Sequence, residues 1–267
     1  MKIHTELISG AGNTFHIAYG EGVRLSLAPD ARVMMKKIVK QACEQQAADG
    51  FIFLEHSQKT DNQYEWHFFN RDSSDAEMCG NATRCVGYYI HNHLKDTGTD
   101  WKLQTVAGAI QIKFVEKEMF EIKTTPIKAL PSSKGFFCDT GVPHLVLSYE
   151  GTELFLNLNE NLKNKSSQLR HHQDFAPKGT NVTYVQATPR ADYIRAVSFE
   201  RGVEDFTKAC GTGAMAAAYF NLTKRGITQT QVEMPGGTLM MNLTDLNEPK
   251  MTGPAVLLGS YDHEIAI

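Results

Sequence analysis

Two cysteines in this sequence stand in the same local context: Cys79 is followed by Gly80, Cys210 by Gly211, and each pair opens a segment with a helical pattern. A thiol at the start of a helix lies beside backbone amides that have no partner within the helix, and the helix dipole favours negative charge there. We therefore predict that the pKa of both thiols lies below the usual value of about 8.5. The glycines let a ligand approach the backbone, and the amides suit a carboxylate.

Two thiols of this kind are suited to inverting the configuration of an amino acid at its α-carbon. One thiolate removes the α-proton, and a thiol on the opposite face returns a proton to the planar carbanion. A single group would return the proton to the face from which it came. We interpret Cys79 and Cys210 as this acid/base pair. The sequence contains no CxxC pair of the kind that holds zinc, and we expect neither a metal ion nor a cofactor.

An internal duplication relates the two Cys-Gly pairs, which lie 131 positions apart (210 − 79). A glycine that follows each helical segment keeps nearly the same spacing, since Gly108 and Gly237 lie 129 positions apart (237 − 108). A related tripeptide precedes each cysteine: Phe69-Asn70-Arg71 in the first copy and Phe199-Glu200-Arg201 in the second. A period this long indicates two homologous lobes rather than a solenoid, whose repeats are about 20–50 residues long.

Each lobe is predicted to contain several strands and one main helix, which is an α/β (α+β) fold. Apolar runs predict strands at residues 50–54, 64–69, 110–114 and 181–185. A further helix is predicted from Ala31 to Gln46, with Pro29 and Asp30 at its start. Prolines and glycine in residues 126–135 indicate a connection between the lobes. We expect lobes at residues 1–121 and 122–255, with residues 256–267 returning to the first lobe and the active site in the cleft between the two.

Composition excludes several classes of protein. The net charge of −3, with 42% hydrophobic and 21% charged residues, is typical of a globular domain and offers no basic surface for nucleic acid. No apolar run reaches the roughly 20 residues of a membrane span, and the N-terminal residues lack a signal-peptide pattern. Five cysteines, an odd number, indicate free thiols in a reducing compartment. We expect a cytoplasmic protein without nucleic-acid or membrane partners, in which Cys43, Cys85 and Cys138 belong to the core.

Several segments resemble motifs of the diaminopimelate epimerase family, and the likeness extends over nearly the whole chain. The stretch from Asn70 to Cys85 resembles the first active-site motif of that family. Glu200-Arg201-Gly202, together with residues 209–214, is similar to the second motif. Residues 10–15, 235–237 and 252–255 also match the family pattern.

The resemblance implies two pseudo-symmetric lobes, each a curved, mainly antiparallel sheet around a central helix. It implies an interconversion of LL- and meso-diaminopimelate without pyridoxal phosphate or metal, with Cys79 and Cys210 as the catalytic pair. Backbone amides of four residues would bind the carboxylate at the reacting carbon: Gly80, Asn81, Gly211 and Thr212. Five side chains would contact the substrate: Asn13, Asn70, Asn181, Glu200 and Arg201. Of these, Arg201 would bind the distal carboxylate with two hydrogen bonds. The expected partner is a small-molecule amino-acid substrate, and a homodimer is possible.

The sequence departs from the family pattern where the distal part of the substrate would be recognised. Val142, in the segment Gly141-Val142-Pro143-His144, stands where the family has asparagine. One lost hydrogen-bonding group changes discrimination by about 1–3 kcal/mol. The other departures are Ala82 and Ser73 in place of glycine, Thr14 in place of aspartate, and one extra residue between Glu200 and Cys210.

Three alternatives therefore remain open. Val142 favours the first, a racemase of another amino acid, such as lysine or histidine, that uses the same two thiols. The second is an isomerase of the phenazine-biosynthesis type, which shares the duplicated fold but uses a carboxylate as its acid/base. Cysteine at both sites argues against it. The third is a non-catalytic amino-acid-binding protein, which would keep its affinity after both cysteines are replaced.

Overall fold

The structure, a computed structural model, describes residues 1–20, 30–57, 63–76 and 78–266. Pro29, at the predicted start of a helix, and Glu77, within the first motif, lie outside the described residues. The chain divides into two compact units. The first comprises Met1–Ile122 with Gly253–Ile267, and the second comprises Lys123–Thr252. Among the described residues, no helix is long and apolar enough to span a membrane.

The first unit is a mainly antiparallel arrangement of strands with two helices. Its strands are β1 (Lys2–Gly10), β2 (Asn13–Tyr19), β3 (Gly50–His56), β4 (Tyr64–Asn70), β5 (Asp100–Thr105), β6 (Gly108–Glu116), β7 (Met119–Lys123) and, from the C-terminal segment, β17 (Val256–Glu264). Neighbouring strands pair in the order β17-β1-β2-β3-β4-β5-β6-β7. Its helices are α1 (Ala31–Gln45) and α2 (Gly80–Asn92).

The second unit contains the corresponding elements. Its strands are β8 (Lys128–Leu130), β9 (Phe136–Asp139), β10 (Pro143–Ser148), β11 (Asn181–Ala187), β12 (Tyr193–Glu200), β13 (Asp205–Phe206), β14 (Gln229–Met234), β15 (Gly237–Asn242) and β16 (Lys250–Pro254). They pair in the order β8-β9-β10-β11-β12-β14-β15-β16, and β13 adds to β12. Its helices are α3 (Glu160–Arg170) and α4 (Gly211–Arg225), with short 3₁₀ turns at Leu154–Asn157 and Gln173–Phe175.

The two units have the same pairing pattern, which confirms the duplicated α+β fold predicted from the sequence. In each unit the pairs run antiparallel, antiparallel, parallel, antiparallel, parallel, antiparallel and antiparallel. A parallel pair needs a crossover connection, and a helix is the usual one. Accordingly α1 and α2 connect the parallel pairs of the first unit, and α3 and α4 connect those of the second.

The helices that follow the two cysteines are the central helices of their units. The consecutive residues 81–87 of α2 and 213–218 of α4 are all buried. A helix that is buried on every side must be surrounded by other elements rather than resting on a surface. Strands of its own unit pack around each one, for example β1, β2 and β6 around α2. The sequence therefore folds so that each Cys-Gly pair begins a rigid, enclosed element.

The segment that the sequence predicts as a connection contains one short strand that the sequence did not predict. Within residues 126–135, Lys128–Leu130 forms β8 and pairs antiparallel with β9. The remaining predicted elements are confirmed to within a few residues, because each has a strong local pattern. In particular, Phe51 to Leu54 in β3 are fully buried, as a continuous apolar run predicts.

Candidate active site

Cys79 and Cys210 occupy the same position in the two units, as the residue that caps the N-terminus of the central helix. Their backbone angles are similar, with φ −144° and ψ 123° at Cys79 and φ −129° and ψ 103° at Cys210. The amides at the start of a helix have no acceptor within the helix. Gly80 and Asn81, or Gly211 and Thr212, supply these first amides. The two thiols differ in exposure, since Cys79 is half-buried and Cys210 is only 4% exposed.

The sulfur of Cys210 lies within a shell of polar groups from its own unit. It accepts a hydrogen bond from the amide of Gly213 at 3.4 Å, and it lies 3.4 Å from the hydroxyl oxygen of Thr212. The Ser198 hydroxyl also interacts with it. Burial, reinforced by the negative charge of Glu200, raises the pKa of the Cys210 thiol well above its usual range. The expectation of a lowered pKa is therefore wrong for Cys210, because burial outweighs the helix amides.

Glu200 places a carboxyl group beside this thiol. Burial raises the pKa of Glu200, while hydrogen bonds from the hydroxyl of Thr207 and from Cys210 act in the opposite direction. The Thr207 hydroxyl donates to Oε1 of Glu200 in a short hydrogen bond. Glu200 is the last residue of β12, so the sheet fixes where its carboxyl group lies. This arrangement favours the protonated form of the Cys210 thiol.

A fully buried histidine, His144, is linked to Cys210 through Thr212. Its Nε2 lies 3.0 Å from the Thr212 hydroxyl oxygen and 3.2 Å from Nδ2 of Asn181. Its Nδ1 lies 2.8 Å from the hydroxyl oxygen of Thr183, which lies 2.9 Å from that of Ser198. Burial, aided by the positive charge of Arg201, lowers the pKa of His144 to about 3, so the ring is neutral.

Asn181 determines which nitrogen of His144 carries the proton. The amide of Arg201, which can only donate, is 2.8 Å from Oδ1 of Asn181. Nδ2 of Asn181 therefore faces His144 and donates to its Nε2, which must be the unprotonated nitrogen. The proton is then on Nδ1, where Thr183 accepts it. Both polar ends of the Asn181 side chain, which is only 6% exposed, are thus used inside the unit.

The residues predicted for the first unit form a second group. Nδ2 of Asn81 donates to Oδ1 of Asn13 at 2.6 Å, so the start of α2 is joined to the start of β2. The close approach requires a glycine at position 10, since a Cβ there would lie 2.6 Å from the backbone oxygen of Asn81 and 3.0 Å from Sγ of Cys85. This packing explains why a glycine precedes Asn13 by three positions in the N-terminal segment.

Asn70 is set apart from this group. Its side chain is exposed, and its Nδ2 donates to the hydroxyl of Ser74 at 2.9 Å. Its backbone oxygen accepts from Ser73, which has the left-handed φ of +65° that suits a glycine. Ser73 thus holds a glycine-type conformation, and its hydroxyl donates to the backbone oxygen of Lys36 at 3.1 Å. In the described contacts, Asn70 stabilises a turn.

The structure brings most of the predicted residues together within their own units. Asn13, Gly80 and Asn81 lie around the start of α2, while Asn181, Glu200, Arg201 and Thr212 lie around Cys210. Sequence reasoning assigned no role to Thr183, Ser198 or His144, although the segment ending in His144 was noted. Their proximity arises from the pairing of β10, β11 and β12. Among the described residues, no three His, Cys, Asp or Glu side chains converge as a metal site would require.

Comparison with known sequences points to one family. The sequence model of the family described as diaminopimelate epimerase matches residues 27–129 and 136–258. A diaminopimelate epimerase of Hydrogenobaculum sp. is 34% identical over 282 residues, covering 96% of this chain and 97% of the relative. One of Aquifex aeolicus is 32% identical over 265 residues and covers 92% of each chain.

Solved structures with the same fold are more distant in sequence. A phenazine biosynthesis protein of the PhzF family from Bacillus anthracis has a TM-score of 0.75 at 14% identity, covering 99% of this chain and all of the other. A hydroxyproline epimerase from Agrobacterium vitis has a TM-score of 0.66 at 15% identity, covering 98% of this chain and 92% of the other. At such identities the likeness establishes the fold alone.

Proposed function

We propose that this chain, which belongs to the diaminopimelate epimerase family, is an isomerase that interconverts LL- and meso-diaminopimelate by exchanging the proton at one α-carbon. The observation that carries the proposal is the repeated placement of a cysteine at the N-terminus of a buried helix in each of two like-folded units. Two like groups are what inversion needs, because one must remove the proton and another must return it.

In the proposed mechanism, Cys210 holds a proton and Cys79 accepts one in the first step. The raised pKa of Cys210 supports its role as a thiol, since burial and Glu200 both disfavour the thiolate. Cys79, half-buried at the start of its helix, removes the α-proton as a thiolate. Cys210 then donates its proton to the opposite face of the carbanion, and the two protonation states are exchanged. The reverse reaction starts from that exchanged state.

Helix amides stabilise the charge that develops on the substrate. When the α-proton leaves, negative charge spreads onto the neighbouring carboxylate, which becomes enolate-like. The amides of Gly80 and Asn81, or of Gly211 and Thr212, are already oriented by their helices and do not need to reorganise. Preorganised donors of this kind contribute about 2.7–4 kcal/mol each in well-studied enzymes. In water no preoriented donors stabilise the charge that develops in the same exchange.

The proposed substrate contacts lie on both units. Asn13 and Asn70 are on the first unit, and Asn181, Glu200 and Arg201 are on the second. The Arg201 guanidinium is suited to a bidentate grip on the distal carboxylate. Glu200, whose carboxyl contacts the Cys210 thiol, acts on the acid/base step as well. We further propose a cytoplasmic protein, because no disulfide bond joins its five cysteines. Analytical ultracentrifugation distinguishes a homodimer from a monomer.

A second candidate, a racemase of another amino acid, is favoured by Val142. This residue is half-buried, and its backbone oxygen accepts a hydrogen bond from the amide of Thr140 at 3.2 Å. Valine offers no hydrogen bond to a distal amine or carboxylate. A site with fewer distal donors binds a side chain with fewer polar groups, such as that of lysine or histidine.

A substrate panel in deuterated water separates the two candidates. The purified enzyme is incubated with LL-diaminopimelate and with L-lysine, L-histidine and other L-amino acids, and deuterium at Cα is followed by NMR. The first candidate predicts incorporation into diaminopimelate with kcat/KM at least about tenfold higher than for any other amino acid. Faster exchange into lysine or histidine would establish the second candidate. No exchange into any substrate would reject both.

A further inference from the structure

Arg84 is a charged side chain that the proposed reaction does not use, and it is fully buried. It lies on α2 with an exposed fraction of 0%, among the largest fully buried side chains of the described chain. Burying a guanidinium costs several kcal/mol unless hydrogen bonds repay it. Burial lowers the pKa of Arg84 to about 10, so the group is still positively charged at neutral pH. Because burying this charge is unfavourable, we expect Arg84 to have a role other than filling the core.

The guanidinium stands at one end of a chain of hydrogen bonds. Its Nη2 donates to Oδ1 of Asn81 at 2.8 Å, and its Nη1 donates to the backbone oxygen of Gly80 at 3.3 Å. Nδ2 of Asn81 donates to Oδ1 of Asn13 at 2.6 Å. Nδ2 of Asn13 in turn points to Oδ2 of Asp49 at 3.4 Å. We call the series Arg84–Asn81–Asn13–Asp49 the amide relay.

The chemistry of the two ends fixes the direction of the amide relay. A guanidinium only donates, so Asn81 must turn its oxygen towards Arg84 and its nitrogen towards Asn13. Asn13 must then turn its oxygen towards Asn81. A carboxylate only accepts, and Asp49 therefore holds the nitrogen of Asn13 from the far side. The amide of Thr14 anchors the same Asp49 oxygen at 2.9 Å. Neither asparagine can flip without losing its partners.

The second repeat has no such cation at the matching position. Met215 stands where Arg84 is in the first repeat (84 + 131 = 215), and Thr212 stands in place of Asn81 (81 + 131 = 212). Met215 is buried as well, at 1% exposure, so the enclosed site at this point of a central helix accepts an apolar side chain of similar length. A hydrophobic core alone therefore does not require an arginine here.

We propose that Arg84 is a positioning residue, which through Asn81 holds the side-chain amide of Asn13 with one N–H group directed to the anionic substrate. Among the described residues, Asn13 uses its oxygen on Asn81 and one N–H on Asp49, which leaves the second N–H of Nδ2 as a donor. A flipped amide would present an oxygen instead and would repel a carboxylate. This role deepens the proposed function and rests on it, because it is the proposed function that makes Asn13 a substrate contact.

The first test replaces Arg84 by the residue of the other repeat. In Arg84→Met the two asparagine amides lose their fixed direction, and we expect KM for the substrate to rise about tenfold while kcat changes less than threefold. The rise should vanish in the Asn13→Ala background, because the side chain that Arg84 orients through Asn81 is then absent. A rise of the same size in both backgrounds, or no rise, would overturn the proposal. Arg190→Met, at an exposed arginine of the second unit, is the matched control.

A second variant covers the case in which Arg84→Met does not fold. Asn81→Asp keeps Arg84 and gives it a carboxylate partner, so the unit should remain stable. It removes the donor to Asn13, whose amide can then satisfy position 81 only by flipping towards it. We again expect KM to rise about tenfold. A folded Asn81→Asp enzyme with the wild-type KM would contradict the proposal.

A readout without substrate separates this proposal from the proposed function. The side-chain ¹⁵N–¹H₂ resonances of Asn13 and Asn81 are assigned by the loss of each signal in an alanine variant. We expect the Asn81 resonances to be slow in hydrogen exchange in the wild type and at least about tenfold faster in Arg84→Met. Unchanged exchange would refute the relay even if the enzyme is active. Changed exchange in a protein without isomerase activity would support the relay and reject only the proposed function.

Discussion

The hydroxyl oxygen of Thr212 lies 3.4 Å from the sulfur of Cys210 and bridges it to a neutral, buried histidine. Nε2 of His144 lies 3.0 Å from the same hydroxyl oxygen, so the Thr212 hydroxyl stands between the thiol and the ring. Thr212 is therefore more than a source of a backbone amide.

Replacing Thr212 by valine should lower activity without unfolding the protein. Valine has nearly the same shape but removes the hydroxyl that links Cys210 to His144. We expect kcat/KM for α-proton exchange to fall about tenfold, which corresponds to a lost hydrogen bond of roughly 1–2 kcal/mol. Thr212→Ser, which keeps the hydroxyl, is the control and should retain most of the activity. Equal kinetics of the valine variant and the wild type would show that the hydroxyl has no part in the reaction.

Gly213→Ala should destabilise the second unit. A Cβ at position 213 would collide with the hydroxyl of Ser198 and lie 3.2 Å from Sγ of Cys210. We expect the free energy of unfolding to fall by about 1–3 kcal/mol, as for other overpacked sites. Chemical denaturation measures the change. Ala82, the counterpart in the first repeat, is fully buried and tolerated there, and Ala82→Gly should cost only about 1 kcal/mol. Equal stability of Gly213→Ala and the wild type would contradict the packing described.

Stability should fall as the pH drops from 7 to 5. Burial lowers the pKa of His16 to about 4 and that of His144 to about 3, whereas both titrate near 6.5 in the unfolded chain. Below pH 6.5 the unfolded chain binds more protons than the folded one, so each histidine removes up to about 1.4 kcal/mol per pH unit. Urea unfolding at several pH values measures the slope. His16→Gln should flatten it, and an unchanged slope in that variant would contradict the assignment.

Alkylation should distinguish the two active-site thiols. Cys79 is half-buried, while Cys210, Cys85 and Cys138 are at most 4% exposed and burial raises the pKa of each. The thiolate is the reactive form, so iodoacetamide should modify Cys79 first and inactivate the enzyme. Peptide mapping by mass spectrometry identifies the site, and added substrate should slow the reaction. Preferential labelling of Cys210 would contradict the proposal that Cys79 is the thiolate and Cys210 the thiol in the resting enzyme.

Much of this fold was predictable because its signals are local. The helix that begins at Gly80 and the buried run of β3 have patterns within a few neighbouring residues. The duplication was visible because the Cys-Gly pairs and the following glycines keep their spacing. The strand Lys128–Leu130 was missed, since three residues among prolines form a strand only by pairing with β9.

The parts of the site that sequence reasoning missed depend on tertiary contacts. The raised pKa of Cys210 arises from burial and from Glu200, which is ten positions away in the sequence. His144 reaches Thr183 and Thr212 across 39 and 68 positions. Such contacts cannot be predicted from neighbouring residues in the sequence, and neither can the burial of Arg84. A motif could therefore identify the cysteines, but only the fold could assign their different surroundings.

The most direct test of the two-thiol mechanism is α-proton exchange by the single-cysteine variants Cys79→Ala and Cys210→Ala. Each is incubated with LL-diaminopimelate in deuterated water, and both stereoinversion and deuterium at Cα are measured. The two-thiol mechanism predicts that stereoinversion falls at least about 1,000-fold in each variant, since removing a positioned acid or base costs about 10²–10⁴-fold and inversion needs both groups. Circular dichroism should show the fold intact. Wild-type inversion in either variant would contradict the two-thiol mechanism.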